Sequence, residues 1–279
     1  MYERADAQRR LSGRLMLILL AAALLLCIFL SFLIGRYPVP PGELLGIVLS
    51  RLGFTGIEQF WSDTQAIAVM NVRMPRILLS VLVGAALSAA GAAYQGVFQN
   101  PMAAPDILGA SAGAGFGAAL GIYFGFSGAG VTALAFAMSL ATVALVFFVS
   151  RHTRGERVMG LILAGIMINS LFQAGTSFIK LVADPTNKLP AITYWLMGSL
   201  VGATNRELGF ALWPMLLGIL PLLLLRWRLN VITLGDDEAR SLGVDAGRVR
   251  LISVLCATLV TAASVVVSGM IGWVVLVIP

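Results

Sequence analysis

Stretches of about 20 residues without a charged side chain recur along this chain, and no other feature restricts its fold so tightly. A helix needs roughly 20 apolar residues to cross a hydrocarbon core of about 30 Å, where backbone polar groups find no water and must be satisfied within the segment. Six such stretches are complete: Leu15 to Ile34, Ile77 to Phe98, Ile107 to Phe124, Ala129 to Ser150, Val158 to Ile179 and Leu208 to Leu225. The last, Leu251 to Pro279, has 29 residues. As one helix it would reach about 43 Å, too long for a single straight crossing, and Ser268-Gly269 offers a break. The expectation is an all-α polytopic membrane helix bundle of about seven full spans plus a partial eighth, in a single transmembrane domain over residues 1–279.

Composition agrees and excludes other classes. Hydrophobic residues make up 59% of the chain and charged ones 11%, against about 25% charged in ordinary soluble domains. The net charge of +6 does not point to nucleic acid, because the arginines sit between apolar runs rather than on one solvated face. Cys27 and Cys256 lie inside two of those runs and build neither a disulfide framework nor a metal site. The first apolar run is about twice a typical signal-peptide core and ends in SFLIGR, without a small-residue cleavage site, so it reads as a retained span. Of the 19 Lys and Arg residues, twelve fall in alternate connections (Arg4, Arg9, Arg10, Arg14; Arg151, Arg154, Arg157; Arg226, Arg228, Arg240, Arg248, Arg250). Basic residues are retained on the cytoplasmic side, which places the N-terminus inside. The other side holds Arg36, Arg51, Arg73, Arg76, Lys180, Lys188 and Arg206.

None of the six complete spans contains Asp, Glu, Lys, Arg or His. Ion-coupled carriers and pumps keep such residues within the membrane for function, so energy for any transport is expected from elsewhere. His152 lies in a basic connection, and no paired carboxylates, metal-ligand cluster or nucleophile-base pair marks an intramembrane enzyme. A G-x-x-x-x-G-K-[ST] phosphate loop is also absent, so the chain is expected to bind no nucleotide or other cofactor itself. Gly109, Gly113, Gly117 and Gly121 recur every four residues, putting all four on one face of the third span, where another backbone can approach closely. A faint internal echo pairs Ser80-Val81-Leu82 and Ala89-Ala90 with Ser253-Val254-Leu255 and Ala262-Ala263, as internal repeats in transporters would.

Between the spans lie motifs with their own physical readings. Asp236-Asp237-Glu238 open a short helix, where carboxylates favour the positive end of the dipole, and Gly243 supplies a stop. Leu234, Ala239, Leu242 and Val244 give this segment, which begins at Leu234-Gly235, an apolar side able to enter a partner's groove. Arg73 and Arg76 flank Met74-Pro75 at a span end, as interfacial anchors or as docking residues. Asn100-Pro101 and Ala104-Pro105-Asp106 interrupt the apolar pattern as turns.

Three of these stretches resemble the FecCD family of permeases. The run VRMPRILLSVLVGAALSAAGAAYQGVFQNPMAAPDILGASAGA, Val72 to Ala114, is similar to the family's R-L-P-R … G-A … Q-G … N-P-L-A-x-P-x-L-L-G-x-S-x-G-A pattern. ITYWLMGSL, Ile192 to Leu200, resembles its W-x-x-G-S segment, and LNVITLGDDEARSLGVD, Leu229 to Asp245, its L-N-x-L-x-L-G-x-x-x-A-x-x-L-G-V element. SGMIGWVVLVIP is similar to the opening of a fourth motif, with Val275 where the family has glycine. The sequence ends at Pro279, where the family continues with roughly two more helices of a ten-span fold; a product shortened in this way is expected not to transport unaided. The resemblance implies the permease subunit of an ATP-driven (ABC) importer for iron-siderophore complexes, haem or cobalamin, in the inner membrane of a prokaryote. It also implies a second permease subunit, in a homodimer or close heterodimer, and cytoplasmic ATP-binding subunits holding ATP and magnesium. Leu234 to Val244 would couple to the ATPase, and Arg73 and Arg76 would dock an extracytoplasmic substrate-binding protein. Substrate would then cross a cavity lined by small and apolar side chains. The rivals are a secondary transporter and, more distantly, a membrane-embedded enzyme.

Overall fold

The computed structural model describes residues 2–35, 37–51, 53–54, 59–152, 157–271 and 274–278, with side chains from Gly13 onward except those of Arg157 and Val158. Arg36, Arg154 and Pro279, and the side chains of Arg4, Arg9, Arg10 and Arg157, lie outside the described residues. The chain folds as two compact units, Met1–Leu78 and Leu79–Pro279.

The first unit contains α1 (Tyr2–Leu33), α2 (Pro41–Arg51), α3 (Asp63–Ile67), a π-helical segment (Ala68–Arg73) and the start of α4 (Met74–Phe98). Pro41 begins α2, where its missing N–H costs nothing, and Glu43 sits in the first turn, where a carboxylate is favoured. A reciprocal cap starts α3: the Gln65 amide donates to Ser62 Oγ at 3.2 Å and the Ser62 amide to Gln65 Oε1 at 2.7 Å. The Gln65 side chain also donates to Glu43, tying α3 to α2. Val39, Leu44, Ile47 and Val69 form the small core beneath them. The leucine-rich part of α1, Gly13–Leu33, is 0% buried.

The second unit continues α4 and adds a 3-10 turn (Pro105–Leu108), α5 (Ala110–Tyr123), α6 (Gly128–Ser150), α7 (Arg157–Val182), α8 (Lys188–Met197) and α9 (Asn205–Leu224), then α10 (Arg226–Ile232), α11 (Asp236–Ser241), α12 (Ala246–Ser268) and α13 (Val274–Val277). Six helical stretches among the described residues are long and apolar enough to cross a membrane. They match the expected spans except the third. There Gly109 takes a left-handed conformation, φ +73°, ending the 3-10 turn and opening α5 in a new direction. The 14 residues of α5 reach only about 21 Å. Gly109 therefore caps the helix, and a methyl group on it would lie 3.2 Å from Thr142 Cγ2 of α6, the helix that the other three glycines meet.

Those three work as packing residues. A methyl group on Gly117 would lie 2.7 Å from Leu134 O, one on Gly113 2.8 Å from Met138 O and one on Gly121 3.2 Å from Val131 Cα, so α6 rests directly on the glycine side of α5. Helices α4 and α12, which carry the two halves of the sequence echo, meet in the core, where Tyr94 Oη and Thr258 Oγ1 share a buried hydrogen bond of 3.0 Å. Ser268 ends α12 at the expected break. Val275 is buried in the core despite its bulk, and Gln95 Nε2 donates to the Leu276 carbonyl at 3.2 Å.

Candidate functional site

The Leu234 to Val244 segment is built around a short helix, α11, and its nine candidate residues divide by direction. Gly243, φ +74°, closes α11: its amide donates to Arg240 O at 2.9 Å and the Val244 amide to Ala239 O at 2.8 Å, which satisfies the end carbonyls in a Schellman turn. Ala239 and Val244 are buried in the main core. Leu234 and Leu242 point the other way, 65% and 53% exposed. Gly235 precedes the helix at φ +129°. Asp236, Asp237 and Glu238 are exposed, but Asp236 also accepts a two-pronged bond from Arg250 of α12, at 2.6 and 3.0 Å. Such a fork fixes orientation as well as distance. α11 is thus fastened to a spanning helix while two leucines and two carboxylates remain presented outward.

Gln99, which the sequence reading passed over, adds a second fastening. It holds φ +49°, unusual for a residue with a side chain, and its Nε2 donates to the Ile232 carbonyl of α10 at 2.8 Å. A cavity of about 1350 Å³ opens beside these elements, bordered by Gln99, Arg151, Asp236, Arg240, Asp245 and Arg250 among others. Connections assigned to one side by their arginines therefore do meet at one end of this unit.

Arg73 and Arg76 are both half-buried. The Arg73 guanidinium donates to the carbonyls of Phe32, Leu33 and Tyr37, so it caps the end of α1, where cations are favoured by the helix dipole. The π-helical segment delivers it there. Gly35 lies against the guanidinium, leaving no room for a Cβ. Spacing in the sequence carries no sign of this long-range role.

The second surprise is polar. α7 runs past its charge-free window to Val182 and brings Lys180 into the helix. Asn169, Gln173, Thr176, Ser177 and Lys180 border a second cavity, of about 510 Å³, with Asp106, Ser111, Leu196 and Met270. The α7 side of this cavity is polar, a feature outside the expectation of small and apolar lining side chains. A search for ionisable groups inside the windows missed it; the i, i+4, i+7, i+8, i+11 spacing of amides, hydroxyls and lysine was legible. Among the described residues, no group of three or more His, Cys, Asp and Glu side chains is placed to hold a metal ion.

Comparison with known proteins gives this arrangement its context. The model of the FecCD transport family matches residues 23–279. The molybdate import system permease protein of Haemophilus influenzae is 37% identical over 264 residues, covering 94% of this chain and 77% of that protein. The hemin transport system permease protein of Yersinia pestis is 39% identical over 224 residues, covering 75% of this chain but 64% of its own length. Among solved structures, an ABC transporter assigned to the metal-chelate type, in an inward-facing conformation, superposes with a TM-score of 0.80 at 36% identity, over 94% of this chain and 78% of that one. With the family matched from the first span onward and the fold shared with a transporter of this kind, the chain belongs to the FecCD transport family as a multi-pass, all-helical permease subunit of an ABC importer.

Proposed function

We propose that this permease carries an iron-siderophore-type chelate across the inner membrane of a prokaryote, driven by a separate ATPase that meets α11 on the cytoplasmic side. The observation that carries the reading is the construction of α11: buried Ala239 and Val244 and the Asp236–Arg250 fork hold it, while Leu234 and Leu242 stand exposed beside Asp237 and Glu238. An exposed apolar pair with an acidic flank suits a partner groove, and each leucine fully covered there contributes about 1.5–3 kcal/mol. The cluster of arginines at this end supports the cytoplasmic assignment with the N-terminus inside. Nucleotide and magnesium are held by the ATPase, a second permease copy completes the pathway, and a binding protein delivers substrate at the end carrying Arg73 and Arg76. The similarity to a hemin transport system permease of Yersinia pestis supports an iron chelate.

The Haemophilus relative favours a second substrate, molybdate, since its match covers 94% of this chain. Reconstitution with the ATPase and binding protein, followed by uptake of labelled ferric siderophore, hemin and molybdate, decides between them. Leu234→Asp with Leu242→Asp is expected to abolish binding-protein-stimulated hydrolysis while the protein still inserts. Retained stimulation would remove the coupling assignment, and uptake driven by an ion gradient alone would favour a secondary transporter.

A further inference from the structure

We propose that the polar face of α7 and the cavity beside it form a hydrated vestibule biased toward anionic, oxygen-rich solutes, with Lys180 creating the bias and Asp106 opposing it at the other end. The proposal rests on the permease reading and names the charge class which that pathway admits.

Five polar residues of α7 border this cavity: Asn169, Gln173, Thr176, Ser177 and Lys180. From Asn169 to Lys180 they extend about 16 Å along the helix axis, at about 1.5 Å per residue. Leu171, Phe178 and Leu181 are exposed on another side of the same helix. A helix that met only lipid would not separate its exposed residues in this way, because polar groups in hydrocarbon are costly and face a bundle interior or water.

The hydrogen bonds show which groups remain available to a solute. Thr176 and Ser177 donate to carbonyls four residues back, at 2.9 and 3.0 Å. Asn169 Nδ2 donates to the Asp106 carbonyl at 3.1 Å, and Gln173 Nε2 to Asn169 Oδ1 at 2.8 Å. This relay orients the two amides. Lys180 has no hydrogen bond or ion pair among the described residues, so its three N–H donors are open to a ligand. Lys180 and Asp106 are the charged residues bordering the cavity; Asp106 stands beside Asn169, and Lys180 lies about three turns further along α7. Walls of low dielectric focus the field of such charges into the space between them. An anionic solute rich in acceptor oxygens is drawn to the Lys180 end, meets the second amide N–H of Gln173 and of Asn169 further along α7 and is repelled at Asp106.

Thiol labelling tests this without nucleotide, ATPase or a known substrate. In the full chain with Cys27→Ala and Cys256→Ala, single cysteines replace Ser111, Gln173 and Ser177, with Leu171→Cys and Phe178→Cys as controls. Each is treated with anionic and cationic methanethiosulfonates of similar size that do not enter lipid. The three polar-face cysteines are expected to react and the two controls to stay protected. At Ser177→Cys the anionic reagent should be favoured relative to a free thiol, and Lys180→Met should lower that preference roughly tenfold, within the range of electrostatic focusing. Lys180→Arg should preserve it, and Asp106→Asn should raise it at Ser111→Cys. Labelling of Ser177→Cys no faster than Phe178→Cys overturns the vestibule, and a preference unmoved by Lys180→Met overturns its charge bias. Failure of ATP-driven uptake leaves these rates unchanged, so the two readings fail separately.

Discussion

α1 and α12 are both long, apolar helices, yet the folded chain treats them in opposite ways. The span of α1 is 0% buried and that of α12 is 67% buried. Hydrophobicity does not separate them, since α1 is the more apolar. Side-chain size does. α1 presents consecutive leucines, whereas α12 carries Ser253, Ala257, Thr258, Thr261, Ala262, Ala263, Ser264 and Ser268, all buried. In a membrane, lipid satisfies a leucine as well as protein does, so close approach of backbones decides which helix goes inside. α1 is held instead by its end, through Arg73.

The comparison can be broken most severely at Ala263, which is 0% exposed. Ala263→Leu is expected to cost about 1–3 kcal/mol through overpacking, read as a large drop in the thermal midpoint in detergent. Arg73→Leu should come next. It removes charged hydrogen bonds worth about 1.5 kcal/mol or more, and faster proteolysis at the α1 to α2 connection with an intact second unit would show that α1 alone is loosened. Thr258→Val deletes the bond to Tyr94 and should cost only about 0.6 kcal/mol, the usual scale for polar contacts between membrane helices. Leu20→Ala on α1 should stay within about 0.5 kcal/mol. A shift as large as that of Ala263→Leu would show that α1 packs against protein.

The sequence made most of the spans legible because apolar windows and their breaks are local. Ser268-Gly269 ended α12 as expected, and the Leu234 to Val244 helix with its Gly243 stop was readable from the dipole and cap rules. Ser62 with Gln65 and Thr204 with Glu207 carried readable capping boxes at the starts of α3 and α9. The short reach of α5 was not legible, because glycine at 109 fits either a helix face or a left-handed cap. Nor was the role of Arg73, whose partners lie 36 to 41 residues earlier. In the Leu234 to Val244 segment, periodicity grouped four apolar residues that the fold divides into two anchors and two presented leucines. Only tertiary contact makes that division.

The π-helical turn at Ala68–Arg73 has a consequence for how this sequence can change by insertion or deletion. A turn of this kind accommodates one residue more than an α-helix would at the same place. Removing one residue there would close the turn into a regular helix and leave the faces on either side in place, so Gln65 would stay beside Glu43. Removing one from the regular part of α4 would instead turn everything before it by about 100° about the axis. Single-residue gaps should therefore collect at this turn and be scarce in the helix that follows.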